Sequence, residues 1–387
     1  MKKTNIAILC VTGLLLLCAA CGRNTDTGEQ SVMQSTEDSK ASAEASVETG
    51  TTESAQAVEA GTTENAPTVQ VGAGGVPVVG IVTYTGGIED ESFNQSAWEG
   101  LQRLSGAVEC ETEFYESASE VDFEQNIDML VEKGGTLCWG IGYDCADELL
   151  GKAGKHPEVS FAIVDYAYDE PAGNVTSVVF RAEEPSFLVG FVAGNVTKTG
   201  KVGFVGGESN AVIDQFEYGY RAGVAYAAKE LGKQIEVETV YVGTFDDSYR
   251  GKELAGNLYQ DGCDIVFHAA GESGIGVIEA AQETGKYVIG VDKDQSYLAP
   301  EHVLTSALKY VNKAVFQVSM DYLEGEQIGG RAISLGLAEG AMGVSEGHAL
   351  YSDQVYEQML ELQQEIMDEK LDPPSNRAEY DAFIKSF

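Results

Sequence analysis

Positive charge is scarce in this chain. It carries 24 Lys and Arg against 62 Asp and Glu, a formal net charge of −38. Nucleic-acid binding needs a basic patch or stripe, so that partner class is excluded at the outset. The surplus acid bears on solubility and not on fold. Histidine is sparse too, and His156, His268, His302 and His348 stand at no metal-ligand spacing, which argues against zinc. Beyond residue 20 the cysteines are Cys21, Cys110, Cys138, Cys145 and Cys263. Cys138 and Cys145 are too far apart for a CxxC pair, so buried free thiols are expected, with a disulfide left open.

Long apolar runs are missing as well. The run at residues 6–17 is short for a membrane span. Behind Lys2 and Lys3 it reads as the core of a secretion signal covering residues 1–20. Cys18-Ala19-Ala20-Cys21 resembles a bacterial lipobox, which places a lipid on Cys21. Cys18 stands where leucine is usual, with Leu17 one position earlier, so ordinary cleavage after Ala20 is the alternative. Residues 21–76 are rich in Ser, Thr, Glu, Ala and Gly and almost free of aromatics. Such a segment buries too little surface to fold and suits a disordered acidic tether.

From residue 77 short apolar runs alternate with helical periodicity. Strands are expected at 78–83, 110–115, 136–140, 160–164 and 175–180, and again at 201–205, 236–242, 265–268, 287–291 and 304–308. Alternation of this kind means parallel sheets covered by helices. The series starts twice, so the fold class expected is α/β, with two doubly wound parallel-sheet lobes. Residues 77–183 plus about 293–317 are assigned to lobe 1. Residues 184–292 plus about 318–387 are assigned to lobe 2. A short strand near Met342 and a charged helix at 353–368 complete the chain.

In open α/β sheets ligands sit beyond the carboxyl ends of the strands. Phe93 and Phe245 each follow a strand in a different half. Facing across a cleft, they can sandwich a flat ring; packing against its own lobe is the alternative for each. Asp165 and Asp292 end strands in the two halves, where a carboxylate can accept from ring N–H groups or a vicinal diol. Capping or solvation is the plainer use. Lys309 follows the 304–308 strand and can donate to a ligand oxygen, pair with Asp292, or simply be solvated. The loop Gly271-Glu272-Ser273-Gly274-Ile275-Gly276 offers amides at a helix start. It lacks GxGxxG spacing and a P-loop lysine, so no nucleotide cofactor is implied. Gly343-Val344-Ser345-Glu346-Gly347 matches a nucleophile elbow. His348 precedes Asp353, however, which is the wrong triad order, and the match is coincidental. No metal or catalytic constellation emerges, and no cofactor is expected.

Several motifs together carry a family resemblance. Gly86-Gly87, Asp90, Ser92-Phe93-Asn94-Gln95 and Trp98-Glu99-Gly100 resemble the signature of the basic membrane lipoprotein (PnrA-like) family. So do Phe161-Ala162-Ile163-Val164-Asp165, the run from Thr199 to Gly207 with Ile213-Asp214 and Phe216-Glu217, and Phe267-His268-Ala269-Ala270-Gly271. Gly290-Val291-Asp292 with Asp294-Gln295 completes the series. The likeness covers residues 78–316 with its motifs in order. It implies a type I periplasmic-binding-protein fold and a lipid-anchored extracytoplasmic receptor of an ABC importer. Its partners would be a permease and an ATPase, and its cargo a purine nucleoside or similar planar molecule, bound by a monomer that does no chemistry.

Carried over by position, the resemblance makes Phe93 and Phe245 the two faces of the base site. Asn94 and Asp165 lie on the first-lobe side, with Asp165 bonding the base. Gly271, Asp292 and Lys309 face the ribose, with Lys313 as a neighbouring competitor of Lys309. Tyr84 departs from the family, which commonly has Asp after the Thr of the first strand; the phenol re-tunes base preference or admits another flat ligand such as a flavin. The rival readings are a secreted nucleoside hydrolase and a sensor built on the same fold.

Overall fold

The computed structural model describes residues 75–386. The signal segment, Cys21 and all but the last two residues of the 21–76 tether lie outside the described residues. The first series runs β1 (Val78–Thr83), α1 (Phe93–Ala107), β2 (Glu111–Glu116), α2 (Glu120–Glu132), β3 (Gly135–Ile141), α3 (Ala146–Lys155), β4 (Ser160–Val164) and β5 (Val175–Phe180). The second runs α4 (Glu183–Val196), β6 (Lys201–Gly206), α5 (Ala211–Leu231), β7 (Glu236–Tyr241), α6 (Ser248–Gln260), β8 (Ile265–Ala269), α7 (Ser273–Thr284), β9 (Tyr287–Asp292) and β10 (Val303–Lys309). The chain ends with α8 (Val311–Leu323), β11 (Arg331–Leu335), β12 (Met342–Val344), α9 (Asp353–Met367) and α10 (Arg377–Lys385).

Two sheets form, in the orders β11-β5-β4-β3-β1-β2 and β12-β10-β9-β8-β6-β7. Every pairing is parallel except β10 with β12. The fold is therefore the expected pair of doubly wound α/β lobes. The inner strands β1, β4, β8 and β10 are almost wholly buried, as strands covered by helices on both faces must be. The edge strands β2 and β7 carry three and two glutamates and stay partly exposed. Charge along an edge discourages pairing with another chain.

The exchange of segments between the lobes differs from the boundaries expected at 293 and 318. β10 belongs to the second sheet, where it pairs β9 on one side and β12 on the other. The crossing comes after β10: α8 packs on α1, and β11 extends the first sheet beside β5. β11 and α10 were not foreseen. β11 is a five-residue edge strand with mostly exposed side chains, and α10 buries no residue fully, so neither carries a strong apolar period.

Helix α4 is apolar all round because it is enclosed, with α5, α9, β10 and β12 around it. Its approach to α5 is set by glycine: a Cβ at Gly223 would fall 1.9 Å from the Phe187 carbonyl oxygen. The crossings between lobes are tied together. Arg181 N donates to Leu335 O at 2.8 Å, and Tyr310 N donates to Ala341 O at 2.9 Å. Arg181 Nε donates to Glu184 Oε1 and Leu337 N to Glu184 Oε2, both at 2.6 Å. Arg181 also pairs with Glu339. Among the described residues Cys110, Cys138, Cys145 and Cys263 are free.

Candidate functional site

The carboxyl ends of the strands from both sheets meet around one cavity with about 670 Å³ of empty space, part of it open to solvent. All eight residues singled out from the sequence line it: Tyr84, Phe93, Asn94, Asp165, Phe245, Gly271, Asp292 and Lys309. From the first lobe, β1 leads to Tyr84 and the loop that starts α1 presents Phe93 and Asn94. From the second, the loop after β7 supplies Phe245, that after β8 supplies Gly271, and β9 and β10 end at Asp292 and Lys309.

Asp165 follows β4 and Asp292 ends β9, and these strands hold equivalent places in the two sheets. Both aspartates have left-handed backbone, φ 66° and 62°. Outside glycine this region is used mainly by Asp and Asn. The same uncommon turn thus aims one carboxylate from each lobe at the cavity. Asp165 accepts from the Lys309 ammonium, which reaches it from the opposite lobe. Asp292 accepts from Ser92 Oγ, again across the lobes. Burial raises the Asp292 carboxyl, an effect countered by Lys309 and Ser92 and reinforced by Asp165. The Lys309 ammonium also lies 4.8 Å from the centre of the Phe93 ring and 5.8 Å from that of Phe216. These are cation–π distances.

Gly271 has φ 55°, and a Cβ there would stand 3.2 Å from the Phe245 carbonyl oxygen. Glycine therefore allows the turn and the close approach of backbone to the aromatic at once. Tyr84 does not project freely: its ring stacks on Phe123 with centroids 5.4 Å apart and planes 13° apart. Asn94 is buried and donates from Nδ2 to Thr85 O at 3.2 Å. Lys313 belongs elsewhere, with its ammonium 3.5 Å from the centre of the Tyr310 ring and 3.0 Å from Gly340 O.

Sequence reasoning gave no role to Asp90, Tyr143 or Phe216, which also line the cavity. Asp90 gathers the start of α1: Oδ1 accepts from Ser92 N and Gln95 N, both 3.0 Å, and Oδ2 from Asn94 N at 2.8 Å. An Asp just ahead of a helix was the available signal. Burial raises its carboxyl from 3.8 to about 6, although the three N–H donors pull it down. A raised folded-state value adds stability fully present below 3.8 and lost as pH rises through about 6. Carboxyl-carbon NMR should find the Asp90 midpoint near pH 6; an ordinary carboxylate midpoint would remove that assignment.

Tyr143 closes one side of the cavity. Its hydroxyl donates to Glu208 Oε2 at 3.1 Å and accepts from Asn210 Nδ2 at 2.9 Å, both from the other lobe. Along the opposite seam the β1–α1 loop meets the β9–β10 connection. There Lys293 pairs with Glu99 at 2.8 Å, Gln295 Nε2 donates to Glu91 O at 3.1 Å, and Tyr297 donates to the Glu91 carboxylate. These pairs span about two hundred positions of sequence and had no local signal. The elbow-like Ser345 faces Ser306 O at 3.5 Å, while His348 stacks on Tyr356 at 4.0 Å. No nucleophile–base pair forms there.

Residues 77–377 match the model of a family described as ABC transporter substrate-binding protein PnrA-like. The chain is 38% identical over 318 residues to basic membrane protein A of Borreliella afzelii, covering 81% of this chain and 96% of that one. It is 40% identical over 307 residues to basic membrane protein D of Borreliella burgdorferi strain JD1, covering 77% and 88%. Among solved structures, an ABC transporter solute-binding protein from Aeropyrum pernix K1 superposes with a TM-score of 0.73 at 28% identity. That superposition covers 80% of this chain and 97% of that one.

Proposed function

Because the chain belongs to the family of PnrA-like ABC transporter substrate-binding proteins, we propose that it captures a purine nucleoside between its lobes and delivers it to a membrane permease driven by a separate ATPase. The observation that carries this reading is the pairing, in one cavity, of two aromatics from opposite lobes with two strand-end aspartates from opposite lobes. Phe93 and Phe245 supply faces for a flat ring, where stacking is favourable whatever the base. Asp165, held by Lys309, accepts from a ring N–H. Asp292 accepts from the two hydroxyls of a ribose; each carboxylate oxygen has more than one lone pair, so Ser92 and a ligand can share it. Gly271 brings backbone close to the sugar, and Lys309 donates to its oxygens.

Charge narrows the guest further. Asp90, Asp144, Asp165, Glu272 and Asp292 line the cavity against the single ammonium of Lys309 among the described lining residues. A phosphate ester entering this field meets like charge, so the cargo is the unphosphorylated nucleoside. Tyr84, braced on Phe123, acts on base preference from the rim. The protein works as a monomer on the outer face of a bacterial cell membrane, anchored by a lipid on Cys21. It makes and breaks no bond in its cargo.

A thermal-shift screen of purine and pyrimidine nucleosides, free bases, nucleotides and flavins tests this directly. A guest at a hundred times its dissociation constant adds about 2.7 kcal/mol of apparent stability. A shift with purine nucleosides and none with their monophosphates is expected; a shift with flavins alone would replace the reading. Phe93→Ala should then weaken nucleoside binding by roughly 1–3 kcal/mol by calorimetry, and unchanged affinity would remove Phe93 from the site.

A further inference from the structure

We propose that Gln295, which does not line the cavity, is the positioning residue that latches the closed cleft and sets how long it keeps its cargo. The inference rests on the nucleoside-capture reading above. Gln295 is wholly buried in the β9–β10 connection. Its backbone N donates to Ser306 Oγ of β10 at 3.2 Å. Its side-chain Oε1 accepts from Val291 N at 3.0 Å, beside Asp292, and faces His268 Nε2 of β8 at 3.0 Å. The second lobe thus holds this residue at three points, two of them on the side chain. The remaining group, Nε2, points out of that lobe and donates to Glu91 O of the first at 3.1 Å.

The network has one consistent polarity. Glu91 O can only accept, so the amide nitrogen faces it and Oε1 faces the other way. Oε1 can only accept, so His268 must carry its proton on Nε2. His268 Nδ1 is then a bare, buried lone pair, and it has no hydrogen-bond partner. Gly274 leaves it room: a Cβ there would fall 2.1 Å from Nδ1. Burial also lowers the imidazole to about 4, which keeps it neutral and keeps the latch in this arrangement.

The receiving end is built to match. Glu91 has left-handed backbone, φ 53°, uncommon for this residue type. Such a conformation persists where its surroundings hold it. It lies between Asp90 and Ser92, in the loop that delivers Phe93 and Asn94 to the cavity. Anchoring the Glu91 carbonyl therefore anchors that loop in the arrangement where Ser92 reaches Asp292. The other contacts of the seam, Lys293–Glu99 and Tyr297–Glu91, are partly exposed. Gln295 adds a link whose donor side chain is wholly buried and whose bond to Glu91 O is partly shielded, next to the buried Ser92–Asp292 contact.

The test is stopped-flow kinetics with adenosine, guanosine or inosine on the wild type, Gln295→Glu and Gln295→Asn. Glutamate keeps an acceptor for Val291 and His268 but, ionised, cannot donate to Glu91 O; protonated, it can. The dissociation rate of Gln295→Glu should rise about tenfold or more while the association rate stays near wild type. The ratio to wild type should shrink as pH falls. His268, Asp292, Lys293 and Asp294 of the second lobe and Asp90, Glu91 and Glu99 of the first surround the position, so wild type measured at each pH cancels their titration. Asparagine is too short to bridge His268 and Glu91. It should speed dissociation without recovery at low pH, and it carries the test if the glutamate variant does not fold. Unchanged dissociation in the variants overturns the inference. A lowered ligand-free melting temperature with both rates altered also overturns it, because that marks a merely structural residue. Failure of the wild type to bind any of the three nucleosides overturns the nucleoside reading and the latch with it; normal wild-type binding with indifferent variants overturns the latch alone.

Discussion

Lys309→Met should lower folding stability by about 3–5 kcal/mol, the usual effect of removing one partner of a buried ion pair. The Lys309 and Asp165 side chains are 2% and 8% exposed, so little water replaces the ammonium when it is lost. Methionine keeps the length of the stem and its packing among Phe93, Phe180 and Phe216. The loss therefore reports on the charge and not on a void. Asp165 would be left buried and unpaired, facing Asp292, whose carboxyl already feels it as a repulsive neighbour. Denaturant unfolding of ligand-free protein measures the effect. Adding Asp165→Asn to Lys309→Met should restore most of the loss, since removing both charges of a buried pair is often near neutral. Additive losses in the double variant would show that the two groups do not act as a pair.

Asp292→Asn should cost nucleoside binding about 1.5–3 kcal/mol, the loss of one hydrogen bond to a charged acceptor. The amide keeps the shape but offers one acceptor oxygen in place of two. It also disturbs the Ser92 contact across the lobes. The discriminating measurement is calorimetry with a nucleoside and its 2′,3′-dideoxy analogue. Wild type should prefer the ribose form strongly, and Asp292→Asn should prefer it by a much smaller margin. A variant that still prefers the ribose by the wild-type margin would place the sugar elsewhere in the cavity.

Much of the cavity was legible in the chain because its chemistry sits at strand ends. A short apolar run ending in Asp165 or Asp292 marks a position on the rim whatever the lobes do. The eight residues singled out line a single cavity for that reason. The lobe boundaries were less legible. β10 reads as one more buried strand, and nothing local says that the chain crosses after it and not before. β11 and α10 are short and half exposed, so they lacked the periodicity that marks a core element.

The sequence by itself determined the alternation that makes two doubly wound sheets and the residues offered at their carboxyl ends. Apolar period and turn residues are local properties and survive without a third dimension. Only the tertiary structure decided which of those residues meet. It turned Lys309 toward Asp165 and not Asp292, aimed both aspartates through left-handed turns, and joined Glu91 to Gln295 across 204 positions. Such pairs depend on how the two lobes face one another, and their buried polar groups are satisfied only there.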